Sequence, residues 1–384
     1  MLKVLQEFNM VYLDHASSSK INEKFAEAAK DMLPRFYANP SAQHILGYEI
    51  AQLMSKSRQK IAKAFNVLEK EVIFTASGCE ALNMAIKGIA LAHKQQGNEI
   101  ISVQTEHQCV LESLTYLKKH HDFVIRYVNV DRYGRIDMQH FTSLLSEKTI
   151  MVSMMMVNNE IATIHPINDV AKTIKRHAKK AVFVVDGVAA VGKIDISMLS
   201  FDALVFSQHK LGGLSGSGCL IKKQHVAMVP LISGGQQEFN MRAGTPFAIA
   251  NILFGDVLVD ALTIQREKET EITVLSQYLK DELQKRFNVT LISDPLGSPY
   301  IVSFLQEKVH SSIILNVLSA QQVYVSSHSA CASESKAPSH VLSACGYDDH
   351  VAQGMIRVSF HYDTTKEEVD AFLNAYEKVS EYVT

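Results

Sequence analysis

The stretch Val182-Phe183-Val184-Val185-Asp186 and its successor Ala203-Leu204-Val205-Phe206-Ser207-Gln208-His209-Lys210 decide the fold. Each opens as a short apolar run, the first rich in β-branched residues, and closes on polar side chains. Four or five apolar residues without alternation read as a strand buried on both faces, the kind found in parallel sheets covered by helices. In such sheets ligands bind beyond the carboxyl ends of the strands. Asp186 and Lys210 stand at those ends.

Outward from this pair, helical and strand patterns alternate from about residue 60 to 225. Glu71-Val72-Ile73-Phe74 predicts a strand. Thr75-Ala76-Ser77-Gly78-Cys79-Glu80 then opens a helix to about Lys94, with Ser77 and Glu80 at capping-box spacing. Further strands are expected at 99–103, 123–129 and 149–155, and a helix near 109–120. The methionines of Met151-Val152-Ser153-Met154-Met155 read as core filling. This alternation predicts an α/β fold with a mostly parallel sheet. Past Thr245 the pattern changes to a long helical stretch at 248–287 with a break, strands at 289–292, 300–305 and 355–360, and a final helix capped by Thr365 and Glu368. The expected division is a large domain at 15–255, with 1–14 and 256–384 forming a smaller α+β domain.

Composition excludes several classes. Of 384 residues, 47% are hydrophobic and 20% charged, and the net charge is -2, so no basic excess points to nucleic acid. Lys118-Lys119-His120-His121 reads as a helix end, where cations offset the macrodipole. No run of about 18 apolar residues predicts a membrane span. Five cysteines without a CxxC pair suggest neither a zinc ribbon nor a disulfide framework, and a reducing cytoplasm fits best.

A lysine and an aspartate at neighbouring strand ends suit pyridoxal phosphate (PLP), which needs an amine for its aldehyde and a carboxylate for its ring nitrogen. The helix start at 75–80 is a phosphate-site candidate, because backbone N–H groups at a helix N-terminus bind anions. Ser207 and His209 stand beside the lysine as further donors. His107 follows the strand at 99–103 and so belongs to the same sheet edge, where a ring can stack and move protons. Cys331 lies in a run of small and polar residues, Ser326-Ser327-His328-Ser329-Ala330-Cys331-Ala332-Ser333, and reads as an exposed nucleophile on a moving loop. Cys79, Cys109, Cys219 and Cys345 sit in patterned segments and read as structural. Arg357 is a charge inside a strand pattern, suited to a substrate carboxylate or to a structural ion pair. The glycine-rich run 212–218 lacks the strand-to-helix setting of a nucleotide loop and is discounted.

Together these residues resemble the cysteine desulfurases, PLP enzymes of fold type I in the class V aminotransferase group. The resemblance rests on Tyr12-Leu13-Asp14-His15-Ala16-Ser17-Ser18, Asn39-Pro40-Ser41-Ala42-Gln43-His44, Thr105-Glu106-His107, Val157-Asn158-Asn159-Glu160, Ser207-Gln208-His209-Lys210, Arg242-Ala243-Gly244-Thr245 and Ser329-Ala330-Cys331. It implies a large domain with a mostly parallel seven-stranded sheet and a smaller α+β domain. It implies that Lys210 holds PLP, Asp186 pairs with the ring nitrogen, His107 stacks and handles protons, and Asn159 contacts the cofactor or substrate. Gly78, Cys79, Ser207 and His209 would bind the phosphate, with Thr245 reaching the phosphate of a neighbouring subunit in a homodimer. Asn39 and Arg357 would lie near the substrate carboxylate. Cys331 would take sulfur from L-cysteine, leaving alanine and a persulfide for an acceptor or scaffold protein in iron–sulfur assembly or tRNA thiolation.

Three positions depart from the family pattern. Ala189 stands where a glutamine is usual three residues after the aspartate, Met156 replaces a polar position, and Leu211-Gly212-Gly213-Leu214-Ser215-Gly216 replaces Tyr-Gly-Pro-Lys-Gly. Competing readings are another class V enzyme, such as a selenocysteine lyase or aminotransferase, and a non-catalytic binding or regulatory partner.

Overall fold

The computed structural model describes residues 10–328 and 339–382. The chain enters through β1 (Val11–Tyr12) and the helices α1 (Glu23–Met32) and α2 (Ile45–Ala64). The large sheet follows. It comprises β2 (Val72–Thr75), β3 (Glu99–Val103), β4 (Val124–Val128), β5 (Thr149–Met155), β6 (Val182–Asp186), β7 (Ala203–Ser207) and β8 (Gly218–Lys222). Their order is β2-β8-β7-β6-β5-β3-β4. Only β8 runs against its neighbours, so the other six strands direct their carboxyl ends to one edge. The expected mostly parallel sheet is present. β8 follows the glycine-rich run and had no strand reading of its own. A Cβ on Gly218 would lie 2.4 Å from the Ser77 carbonyl carbon, so glycine lets this strand pass against the turn that follows β2.

Side chains alternate across the sheet, and both faces are buried. Phe183, Val185, Leu204 and Phe206 join a cluster with α2, α6 (Ile167–His177) and α7 (Ala248–Arg286). Val182, Val184, Ala203 and Val205 join another with α3 (Gly78–His93) and α4 (Gln108–His121). The connection from β4 to β5 carries α5 (Met138–Leu144). Met151 and Met154 are buried in opposite clusters as core filling, whereas Met155 of the same run lines the cavity at the strand ends. The outer N–H row of β2, an edge strand, is partly closed by Glu238, whose carboxylate accepts from the Phe74 N–H at 2.8 Å. Arg58 holds that carboxylate in two hydrogen bonds of 2.7 and 2.9 Å, and its guanidinium lies 4.5 Å from the Phe74 ring centre.

The second half adds β9 (Val289–Leu291), β10 (Ile301–Gln306), β11 (Val323–Tyr324) and β12 (Met355–Ser359). The antiparallel order is β12-β10-β9, and β11 pairs in parallel with β1. The helix Lys366–Tyr376 covers them and begins with the Thr365–Glu368 capping box that the sequence announced.

The expected break in the long helical stretch is absent, for α7 is one helix of 39 residues. It contains no proline, and its polar middle continues through pairs such as Lys268–Glu271 at 2.7 Å. Its single glycine, Gly255, marks close approach to α2, since a Cβ there would lie 2.5 Å from the Ser57 carbonyl oxygen. Residues of its first half join the core of the large sheet, and Ile272, Leu275, Leu279 and Leu283 join that of the smaller sheet. The helix has the length and hydropathy to cross a membrane, but most of its apolar window is buried inside the fold.

Phe254 is fully buried between Phe74 and Phe206, with ring centres at 6.2 and 5.4 Å. Phe254→Ala is expected to lower the free energy of urea unfolding by about 3–5 kcal/mol. A loss below about 1 kcal/mol would show that the aromatic contact with β2 and β7 contributes little.

Candidate active site

Segments leaving the carboxyl-end edge enclose a cavity of about 190 Å³. Gly78 and Cys79 reach it from beyond β2, His107 from beyond β3, and Asn159 from beyond β5. Asp186 closes β6, and Ser207, His209 and Lys210 arrive from β7. Arg357 reaches the same cavity from β12. Nine of the residues singled out in the sequence therefore meet at one place: eight because parallel strands carry their ends to the same edge, and Arg357 because β12 of the smaller sheet faces that edge.

The head of α3 is a capped N-terminus. Ser77 Oγ accepts from the Glu80 N–H at 3.1 Å. The Glu80 carboxylate accepts from the Ala76 N–H at 3.0 Å, one residue earlier than a capping box requires, and from Arg242 Nε at 2.8 Å. The N–H groups of Gly78 and Cys79 stand in the first turn, where no helical carbonyl can take them, and so suit an anion.

Asp186 is buried and accepts from the Val188 N–H at 2.9 Å. Burial pushes its pKa up to about 6, against the lowering effects of that N–H and the Lys210 charge. Lys210 Nζ donates to the carbonyl oxygens of Ala16 and Ser17. These carbonyls were not read as part of the site. Backbone acceptors have no side-chain signature, although they lie in a motif the sequence did reveal. His107 is the N-cap of α4, its Nδ1 accepting from the Cys109 N–H at 3.2 Å. A neutral ring in that role carries its proton on Nε2. Burial and then the Lys210 charge hold the His107 pKa below its ordinary value. Burial lowers His209 to about 4, which leaves a neutral ring with one donor at pH 7. Glu106, fully buried beneath this edge, is held well above the carboxylate range by burial and then by Asp186.

Arg357 is 1% exposed and realises the ion-pair alternative of the sequence reading. It donates to Asp14 Oδ1 at 2.9 Å, Ser17 Oγ at 2.8 Å and the Asn159 carbonyl at 2.9 Å. Its Nε has no hydrogen-bond partner among the described residues. Asn39 and Thr245 are exposed and do not line the cavity. Cys331 lies outside the described residues.

Two thiols correct the sequence reading. Cys219 and Cys345 are buried, as structural cysteines should be, but Cys79 is exposed, and both it and Cys109 line the cavity. A hydrogen bond from the Cys109 thiol lowers the Cys79 pKa to about 7 and raises that of Cys109. Adjacency of the α3 and α4 heads is a tertiary fact, invisible in their separate amphipathic patterns. Of the three departures from the family pattern, Ala189 lines the cavity, whereas Met156 is buried beside it in the core.

The family model described as aminotransferase class-V matches residues 11–372. A cysteine desulfurase IscS of Dictyoglomus turgidum is 37% identical over 376 residues, covering 97% of this chain and 94% of the relative. A putative cysteine desulfurase IscS 1 of Bacillus subtilis is 35% identical, over 94% of this chain and 95% of the relative. Among solved structures, one described as a NifS-like protein superposes with a TM-score of 0.90 at 31% identity, covering 97% of this chain and all of that one. Another, described as SspA in complex with cysteine, gives 0.78 at 26% identity, over 91% and 98% of the two chains.

The raised pKa of Asp186 has a signed consequence. The folded chain holds this proton more tightly than the unfolded chain, so the contribution is fullest below about pH 4 and is lost as pH rises through about 6. The change from 3.8 to about 6 corresponds to at most about 3 kcal/mol. In cofactor-free protein, wild type should therefore lose stability relative to Asp186→Asn between pH 4 and 7, read by urea unfolding. Parallel stability curves for the two proteins would contradict the assignment.

Proposed function

The chain belongs to the class-V aminotransferase family, and on that premise we propose that it is a PLP-dependent L-cysteine desulfurase. The observation that carries the reading is the convergence of Lys210, Asp186, His107 and the first turn of α3 on one cavity. The residues suit the cofactor. Among the described residues the buried Asp186 carboxyl makes no ion pair, which suits a protonated ring nitrogen, and the first-turn N–H groups of Gly78 and Cys79 suit a phosphate. A Cβ on Gly78 would lie 3.1 Å from Val188 Cγ2, so this turn must stay free of side-chain bulk.

When bound, PLP supplies an electron sink for negative charge on the substrate's carbon. Lys210 would hold the aldehyde through its amine, and Asp186 would keep the ring nitrogen protonated. His107, with its proton on Nε2, would lie over the ring and move protons. Asn159 would contact the cofactor or the substrate. Gly78, Cys79, Ser207 and His209 would hold the phosphate. Thr245 would complete that site from a second copy of the chain, which makes the working form a homodimer. Arg357, through Nε, and Asn39 would receive the substrate carboxylate.

The Cys331 thiolate would attack the sulfur of L-cysteine. The carbon–sulfur bond breaks, its electron pair remains on carbon and is protonated, and a sulfur–sulfur bond forms at Cys331. The products are L-alanine and a persulfide, passed to an acceptor or scaffold protein in the cytoplasm for iron–sulfur assembly or tRNA thiolation.

Incubation with L-cysteine, PLP and a reductant should release alanine and sulfide in equal amounts. Cys331→Ser should lose sulfide release while keeping the visible band of bound PLP. Lys210→Ala should lose the pyridoxyl label left by borohydride. Unaffected turnover in Cys331→Ser would assign a different class-V reaction. Because Ala189 offers no hydrogen bond to the ring oxygen, Ala189→Gln should move the pH at which the visible band changes. Superimposable titrations would rule that role out.

A further inference from the structure

The cavity holds a second donor set besides the one assigned to PLP. A ring nitrogen of His107 and the sulfurs of Cys79 and Cys109 all lie within 4.8 Å of one another, and His107 Nδ1 is 3.1 Å from Cys109 Sγ. Two come from the first turns of adjacent helices, and the third is the N-cap of the second helix. Two thiolates and an imidazole form a soft ligand set, which selects Zn²⁺-like cations over Mg²⁺ or Ca²⁺. Around one Zn²⁺, sulfur and nitrogen ligands stand roughly 3.5–3.8 Å apart, given metal distances of about 2.0–2.3 Å. Side-chain rotations would have to draw the wider pairs in from up to 4.8 Å and let the 3.1 Å pair open slightly. Three protein ligands leave a fourth position open toward the cavity.

We propose that Cys79, His107 and Cys109 bind one thiophilic divalent cation of the Zn²⁺ class, and that this cation and PLP occupy the cavity in alternation. The cation would displace the two thiol protons, and its charge would balance the two thiolates. The cation site stands on these three residues alone. The alternation rests on the proposed function, since it is PLP that needs His107 above its ring and Cys79 at its phosphate. Both groups would draw on His107 and Cys79 within one cavity of about 190 Å³.

The test uses the reduced full-length chain freed of cofactor. Co²⁺ alone should give one equivalent with a near-ultraviolet thiolate charge-transfer band and the visible bands of tetrahedral geometry, and Zn²⁺ should bleach both. Cys109→Ala should fold normally, weaken Zn²⁺ at least about tenfold and lose part of the thiolate band, since removing even an outer partner of a metal ligand costs about 10–100-fold. Cys79→Ser should do the same, which guards against a folding defect in either variant. Zn²⁺ should block the appearance of the visible PLP band in wild type and leave it unaffected in Cys109→Ala.

A Co²⁺ spectrum without a thiolate band, or equal Zn²⁺ affinity in wild type and Cys109→Ala, would overturn the site. PLP uptake indifferent to Zn²⁺ would overturn the alternation. A metal-free chain that takes up no PLP would overturn both the alternation and the proposed function, while the cation site would still be decided by the Co²⁺ spectrum.

Discussion

The buried guanidinium of Arg357 is the constraint on which the site depends. A charge taken this far out of water costs several kcal/mol unless its donors are matched. Here three acceptors meet it, from Asp14, Ser17 and the Asn159 carbonyl, parts of the chain that are far apart in sequence. Satisfying Arg357 therefore fixes the 14–17 segment against β12 and the turn beyond β5. The same segment supplies the two carbonyls that hold Lys210. The N-terminal residues thus act as a wall of the cavity, and an arginine that sequence alone leaves between substrate binding and structure serves structure through two of its nitrogens.

Around that wall the sheet does the gathering. Strands running the same way place their chemistry at one edge without any long-range recognition between the motifs themselves. Burial then sets the protonation states. His107 and His209 are held toward neutrality, and the Asp186 and Glu106 carboxyls are shifted toward the protonated form, Glu106 further than Asp186. A ligand bearing both a cationic ring and an anionic group would supply the charges these residues lack.

Much of this was legible in the chain because burial on two faces leaves an unmistakable mark. The runs at 182–185 and 203–206 contain no polar residue, and their ends point to Asp186 and Lys210. Helix caps were legible at Ser77 and Thr365 because capping needs particular side chains at a fixed spacing. β8 was hidden because its glycine, demanded by the nearby Ser77 backbone, resembles a loop signal. The continuity of α7 was hidden because its apolar face changes partners halfway, which in sequence resembles an interruption. Cys109 reads as structural because Val110 and Leu111 follow it in a helical pattern, while the thiol it meets in space, Cys79, comes from a different helix thirty residues earlier.

The length of α7 has a mechanical consequence. At about 1.5 Å per residue, its 39 residues form a rod of about 58 Å that is rooted in two separate cores. Melting either core would strip apolar side chains from one half of the rod and strain the hydrogen-bond ladder leading into the other. The two halves are therefore thermodynamically yoked, and heat should take this polypeptide apart in one concerted event, not module by module.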